Sequence, residues 1–186
     1  MDLVDWQIRS YVECGMISIV PFNLELINPN SYDVTLGSKF IVYSNPDNLV
    51  IDPYDKSTLD ALQKRVVNAS ELVVYPDEFI LARTTEVFKL PRNVKAQLDG
   101  KSSNARLGIE IHQNGGYIDA GFFGSITLEI IVKFPTKLHY KMPIGQLCFT
   151  ETRDCEIPYN MKETSKYNGQ LDPTESMYYK NKKIDY

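Results

Sequence analysis

Residues Leu98–Ile131 carry three polar clusters in one short span: Lys101-Ser102-Ser103 with Arg106, Asn114-Gly115-Gly116 with Asp119, and Thr127 with Glu129. Strand-like apolar runs and glycines lie between them. On one surface these groups would supply anion donors, a carboxylate for a sugar hydroxyl or a water, and a second carboxylate for proton transfer. That set suits hydrolytic chemistry on a nucleotide.

Each cluster also has a plainer reading. Lys101-Ser102-Ser103-Asn104-Ala105-Arg106 follows a predicted strand and Gly100. Its hydroxyls and N–H groups could cradle a phosphate, with charge from Lys101; equally, a Ser could cap a surface helix. Gly115-Gly116-Tyr117-Ile118-Asp119 suits a hairpin that lets backbone approach a flat base, with Tyr117 free to stack. A simple Gly-Gly turn with a solvated Asp also fits. In Ser125–Val132, period-two alternation puts Ile126, Leu128, Ile130 and Val132 on one face and Thr127, Glu129 and Ile131 on the other. A carboxylate among apolar neighbours suits a proton shuttle; a Glu at a sheet edge reaching water is the alternative. Gln146, in Ile144-Gly145-Gln146-Leu147, could read a base edge or brace a hairpin.

The elements that must position these groups are mostly strands. Segments 33–43, 71–75, 78–83, 94–99, 109–112, 125–133 and 144–151 are short and rich in Val, Ile, Tyr and Phe, with Pro, Asn, Asp or Gly between them. Helices are predicted over Val4–Glu13, where Ile8, Tyr11 and Val12 share a face and Gly15 suits the stop, and over 57–66 with Ser57 as cap. The fold expected is mainly β: a distorted barrel or jelly roll with short helices. With 186 residues, 43% of them hydrophobic, the chain is long enough for one domain with a real core. The expected division is residues 1–158 as the nucleotide-hydrolysing domain and 159–186 as a tail. The tail is rich in Lys, Asn, Tyr, Ser and Thr and poor in aliphatics, a composition that does not fold alone.

Bulk properties narrow the partners. A net charge of −4 gives no basic footprint for polymeric nucleic acid. No apolar run is long enough to span a membrane, and the acidic N-terminus has no signal-peptide pattern. Three cysteines, Cys14, Cys148 and Cys155, form neither a disulfide framework nor a metal knuckle, and a reducing cytoplasm, of a cell or of a virus's host, fits them. Only two histidines exist, without an H-x-E…C-x-x-C pattern, so the zinc chemistry known for nucleobase deaminases is not expected. His112 reads as a hydrogen-bonded wall residue rather than a ligand.

Taken in order, the motifs resemble the dCTP deaminase branch of the dUTPase superfamily over nearly the whole chain. The resemblance rests on Asn30-Ser31-Tyr32-Asp33-Val34 with Leu36-Gly37, on Gly100-Lys101-Ser102-Ser103 with Arg106-Leu107-Gly108, and on Ile118-Asp119-Ala120-Gly121-Phe122. It extends to Leu128-Glu129, Ile144–Leu147, Pro158-Tyr159 and Ser165–Gln170. It implies a dUTPase-type fold and a homotrimer with sites built between subunits. It implies that Glu129 is the general acid/base of deamination, that Ser102 holds the attacking water with the Gly115 carbonyl, and that Arg106 organises the pocket. Asp119 would lie under the deoxyribose and activate the water that attacks phosphorus.

Lys101, Ser103, Asn104, Ala105, Gly115, Tyr117, Ile118, Thr127, Leu128, Gln146, Tyr159, Lys166 and Gln170 would contact the nucleotide, the last residues from a tail that orders on binding. Mg²⁺ would arrive on the triphosphate, with no protein cage and no zinc.

Gly116-Tyr117 and the Ile-Gly-Gln-Leu segment match the bifunctional branch, which turns dCTP into dUMP, ammonia and pyrophosphate and also hydrolyses dUTP. A deaminase stopping at dUTP, a phosphohydrolase acting on dUTP or dCTP, and a nucleotide-sensing trimer without catalysis remain alternatives. His112-Gln113-Asn114-Gly115 departs from the family's H-x-T-A, in a loop that mediates dTTP inhibition there, and Asn104 replaces an aliphatic residue.

Overall fold

The computed structural model describes residues 1–183. In chain order the elements are α1 (Asp5–Glu13), β1 (Ser18–Val20), β2 (Ile27–Asn28), β3 (Ser31–Thr35), β4 (Lys39–Ser44), α2 (Lys56–Asp60), β5 (Gln63–Asn68) and β6 (Glu71–Val74). Then follow β7 (Phe79–Lys89), β8 (Val94–Gly100), α3 (Ser102–Arg106), β9 (Ile109–Glu110), β10 (Tyr117–Ile118), β11 (Phe123–Val132), β12 (Thr136–His139) and β13 (Pro143–Glu151). Single 3-10 turns sit at Leu24–Leu26, Tyr159–Met161 and Tyr178–Lys180.

Two sheets face each other. One runs β5-β4-β7-β11-β9, with β1 also on β7; the other runs β10-β8-β13-β3-β2. A two-stranded ribbon, β12-β6, completes the mainly β fold. Alternation places Ile126, Leu128, Ile130 and Val132 of β11 in the shared core, opposite Val94, Ala96 and Leu98 of β8 and Leu147 and Phe149 of β13. α1 closes one end with Ile8 buried and Tyr11 and Val12 packed on the core, and Gly15 (φ 76°) ends that segment in a backbone region open to glycine.

β4 shows why the outer face of the first sheet matters. Phe40 and Val42 enter the core, while Ile41 and Tyr43 turn outward. With Leu81 of β7 and the half-buried Leu59 and Leu62 they form a second, smaller apolar cluster. By register, Ile41, Leu81 and Glu129 stand in one row across β4, β7 and β11.

Two secondary-structure expectations change. The helix predicted over 57–66 ends at Asp60, capped by Asp55, whose carboxylate accepts from Ser57 N–H at 2.9 Å; Ser57 is not the cap. Residues from Gln63 onward join β4 as β5, because β-branched Val66 and Val67 gain a complete ladder with Phe40 and Ile41. The strand predicted over 33–43 breaks into β3 and β4 at Leu36-Gly37-Ser38. There a Cβ on Gly37 would lie 2.9 Å from the Arg83 carbonyl, so the strands meet β7 too closely for a side chain.

β3 is buried along its whole length, including Ser31, Asp33 and Thr35. These three polar residues share a face, and each finds a different partner. Ser31 donates to Gln146 at 3.2 Å, Asp33 accepts from Asn28 at 2.9 Å and pairs with Lys101, and Thr35 donates to Glu86 from both its hydroxyl (2.6 Å) and its N–H (3.0 Å). Burial pushes the Glu86 carboxyl above the usual carboxylate range, against the opposing pull of the Thr35 donors.

Among the described residues no helix is long and apolar enough to cross a membrane.

Candidate active site

A cavity of about 640 Å³ opens on the outer face of the first sheet. Gly115, Tyr117, Ile118, Asp119, Thr127 and Glu129 line one side of it. β11 presents Thr127 and Glu129 as the half-exposed members of its alternating pattern. Glu129 is fixed by the turn that precedes β10: its Oε2 accepts from Gln113 N–H at 2.8 Å. A Cβ on Gly115 would stand 3.1 Å from both carboxylate oxygens, so the absence of a side chain lets the turn lie against Glu129. Gly116 is held more tightly still. Its carbonyl accepts from Leu98 N–H at 2.8 Å, and a Cβ there would sit 2.4 Å from the Leu98 carbonyl. The two glycines serve different ends: Gly116 lets the turn pack on β8, and Gly115 makes room for the carboxylate.

Asp119 is exposed at the end of β10, and Tyr117 stands beside it on that strand with Lys95 Nζ 4.8 Å from its ring centroid. Ile118 is buried but still lines the cavity, whereas Leu128 is buried in the core and does not.

The tail completes the cavity. Gln170 bridges to Gly124 as a short parallel pair, its carbonyl accepting from Ser125 N–H at 2.8 Å and its amide donating to Ser125 O at 2.9 Å. Thr174 N–H donates to Thr127 Oγ1 at 3.3 Å. Glu175 accepts from Tyr43 Oη at 2.6 Å and pairs with Lys64 at 2.8 Å. Burial works against the Glu175 charge, yet the Lys64 and Tyr43 donors outweigh it and hold the carboxyl below its usual range. Burial and the Glu175 carboxylate push the Tyr43 phenol upward. Composition alone gave no reason to expect this ordered packing, because the partners that hold the tail are far away in sequence.

Tyr159 packs its ring on Phe122 (6.1 Å between centroids), and its hydroxyl accepts from Tyr167 N–H at 3.2 Å. Lys166 lines a smaller neighbouring hollow of about 370 Å³ with Tyr159 and Ser165.

The other expected site residues lie elsewhere. Ser102, Ser103, Ala105 and Arg106 are exposed on α3, and none lines the cavity that holds Glu129. Lys101, not a serine, occupies the position before the helix, and its ammonium is paired with Asp33. Gln146 lies nearby, donating to Gly100 O at 3.4 Å. Asn104 is buried, and its amide donates to the Pro143 and Ile144 carbonyls at 3.0 and 3.1 Å. Its side chain ties α3 to β13, which accounts for a polar residue at an otherwise aliphatic position. His112, expected as a hydrogen-bonded wall residue, has its Nδ1 buried without a partner among the described residues.

The sequence reading missed the apolar side of the cavity, formed by Tyr43, Ile51, Leu59, Leu62, Phe79 and Leu81. The one signal available was the alternation of β4, which leaves Ile41 and Tyr43 facing away from the core. Tyr167 and Thr174 were also missed as lining residues.

Comparisons with known proteins agree with this architecture. The family model described as dCTP deaminase-like matches residues 3–152. A protein of Methanosphaerula palustris named "dCTP deaminase, dUMP-forming" is 51% identical over 186 residues, spanning 99% of each chain. Proteins with the same name from Methanospirillum hungatei and Mycobacterium tuberculosis are 49% and 40% identical, over 98% and 97% of this chain and 99% and 97% of theirs. The crystal structure of 2'-deoxycytidine 5'-triphosphate deaminase from Agrobacterium tumefaciens shares the fold, with a TM-score of 0.63 at 23% identity over 80% of this chain and 47% of that one. The chain therefore belongs to the dCTP deaminase-like family.

Proposed function

We propose that this protein is a bifunctional enzyme converting dCTP to dUMP, ammonia and pyrophosphate, and hydrolysing dUTP at the same site. The observation that carries the reading is the Glu129 carboxylate held against the Gly115 turn, in one cavity with Asp119 and Tyr117. Relatives named as dUMP-forming, at 40–51% identity over nearly the whole chain, support the choice of product.

In deamination, a water held by Ser102 and the Gly115 carbonyl attacks C4 of cytosine. Glu129 accepts its proton and delivers protons to N3 and to the leaving ammonia, while Arg106 orders the pocket. In the second step Asp119 orients a water in line with the α-phosphorus, and pyrophosphate leaves. Mg²⁺ bound to the triphosphate would neutralise charge on the leaving group. Among the described residues no three His, Cys, Asp or Glu side chains cluster as a metal cage, so the phosphates themselves would hold the ion. Lys101, Ser103, Tyr159, Lys166 and Gln170 bind the triphosphate.

Ser102 and Arg106 do not reach Glu129 within one chain, so the reading requires that α3 of a neighbouring copy closes each cavity. This is the shared-site homotrimer that the family resemblance implies. Incubation with dCTP and Mg²⁺, with products resolved by chromatography, tests the proposal. Paired dUMP and pyrophosphate with little free dUTP is the expected result. Stoichiometric dUTP without pyrophosphate would leave a simple deaminase, and no ammonia release would refute the reading.

A further inference from the structure

The proposed reaction has two chemical steps in one cavity, with dUTP bound between them. Bound dUTP then has two fates. A water attacks its α-phosphorus and releases pyrophosphate, or the nucleotide leaves intact. Only the second fate requires the cavity wall to open. The strands are fixed parts of that wall. The tail is fastened by a few side-chain contacts, so it is the part that yields first.

From Gln170 to Ser176 the tail crosses the outer face of the first sheet, and Gln170, Thr174 and Ser176 line the cavity. Its near end is tied to β11, Gln170 to Ser125 and Thr174 to Thr127. Its far end is held differently. Tyr43 of β4 and Lys64 of β5 are register partners, so their side chains leave the same face. Both donate to one atom, Glu175 Oε1, the phenol at 2.6 Å and the ammonium at 2.8 Å. Tyr43 also lines the cavity, whereas Lys64 and Glu175 do not, so the fastening lies beside the ligand space without filling it.

We infer that the Glu175–Lys64–Tyr43 tie sets how much dUTP escapes before its phosphate is cleaved, with Lys64 and Glu175 as positioning residues that hold the tail. The inference rests on the two-step reading above. It separates their role from the chemistry: the tie slows release of the intermediate and leaves both bond-breaking steps unchanged.

A single-turnover partition experiment tests this. Labelled dCTP is mixed with excess wild-type protein and Mg²⁺, then chased with unlabelled dUTP, which keeps escaped labelled dUTP from rebinding. The ratio of labelled dUTP to labelled dUMP reads release against cleavage. Glu175→Gln and Lys64→Met should each raise that ratio about two- to five-fold, because a contact of this kind acts mainly on the off-rate. Ammonia release within the turnover should keep its wild-type rate, and Lys64→Arg should keep the wild-type ratio. A wild type that forms dUMP, with a ratio unmoved in both variants, overturns the inference and leaves the two-step reading intact. A raised ratio with slowed ammonia release also overturns it, by placing the tie in the deamination geometry. Labelled dUTP without pyrophosphate from wild type overturns the two-step reading and the inference together.

Discussion

The Gly115–Glu129 region and the α3 region carry equally strong sequence signals, yet the fold treats them differently. Glu129 is enclosed: a turn N–H holds its carboxylate, two glycines bring the turn against it, and the tail spans the same cavity. Ser102, Ser103 and Arg106 stand exposed on a five-residue helix and do not line that cavity. What anchors α3 is the residue that looked least regular, Asn104, together with the Lys101–Asp33 pair. One region has its carboxylate positioned within the monomer. The other is a rigid projection whose functional groups point outward, the form a contribution to a neighbour's site would take.

Glu129→Gln tests the enclosed region most severely. The amide is nearly isosteric but cannot shuttle a proton, so ammonia release should fall by about 10²–10⁴-fold while affinity for a non-hydrolysable dCTP analogue is kept. A variant within a few-fold of wild type would remove Glu129 from its assigned role.

Mixing tests the exposed region. Arg106→Ala and Glu129→Gln should each be inactive alone. Refolded together, they should regain about a quarter of wild-type activity through sites that pair an intact Arg106 with an intact Glu129 from different copies. Activity that stays at the level of the separate variants would place both residues in one subunit's site.

Gly115→Ala asks how closely the turn must approach Glu129. A methyl group 3.1 Å from both oxygens forces the carboxylate to shift by a few tenths of an ångström. A loss of about ten-fold in kcat with an unchanged melting temperature is expected. A displaced Gly115 turn with full activity would show that this contact does not set the geometry.

Glu175→Gln addresses the tail. The Lys64–Glu175 pair is about one-third exposed and the Tyr43 contact is buried, so their loss should weaken nucleotide affinity by about two- to five-fold and speed hydrogen exchange in residues 171–183. No change in exchange would mean that Gln170 alone secures the segment.

The smallest effect concerns β3. Glu86 has a carboxyl pKa raised by burial, so its proton binds more tightly in the folded state than in the unfolded chain. Its contribution is fully present below the ordinary value of 4.5 and is lost as pH rises through the raised folded value. The melting temperature of wild type minus that of Glu86→Gln should therefore be largest in acid and shrink as pH rises above the ordinary range. A difference that grows with pH would reverse the sign of the shift.

The sequence alone determined the mainly β class, the alternation of β11, the α1 stripe and the polar clusters, because period and turn residues are local properties. It misjudged α2, since five helical residues after Asp55 compete with a ladder to β4 that no local window contains. It did not show that Asn104 and Leu128 are buried, Asn104 with its amide on the Pro143 and Ile144 carbonyls. Tertiary structure alone decided three things: that Glu129 shares a row with Leu81 and Ile41, that the tail is fastened by Lys64 and Tyr43, and that α3 stands apart from the cavity. Each depends on contacts between residues tens of positions apart, which chain closure selects and which residue type and spacing leave open.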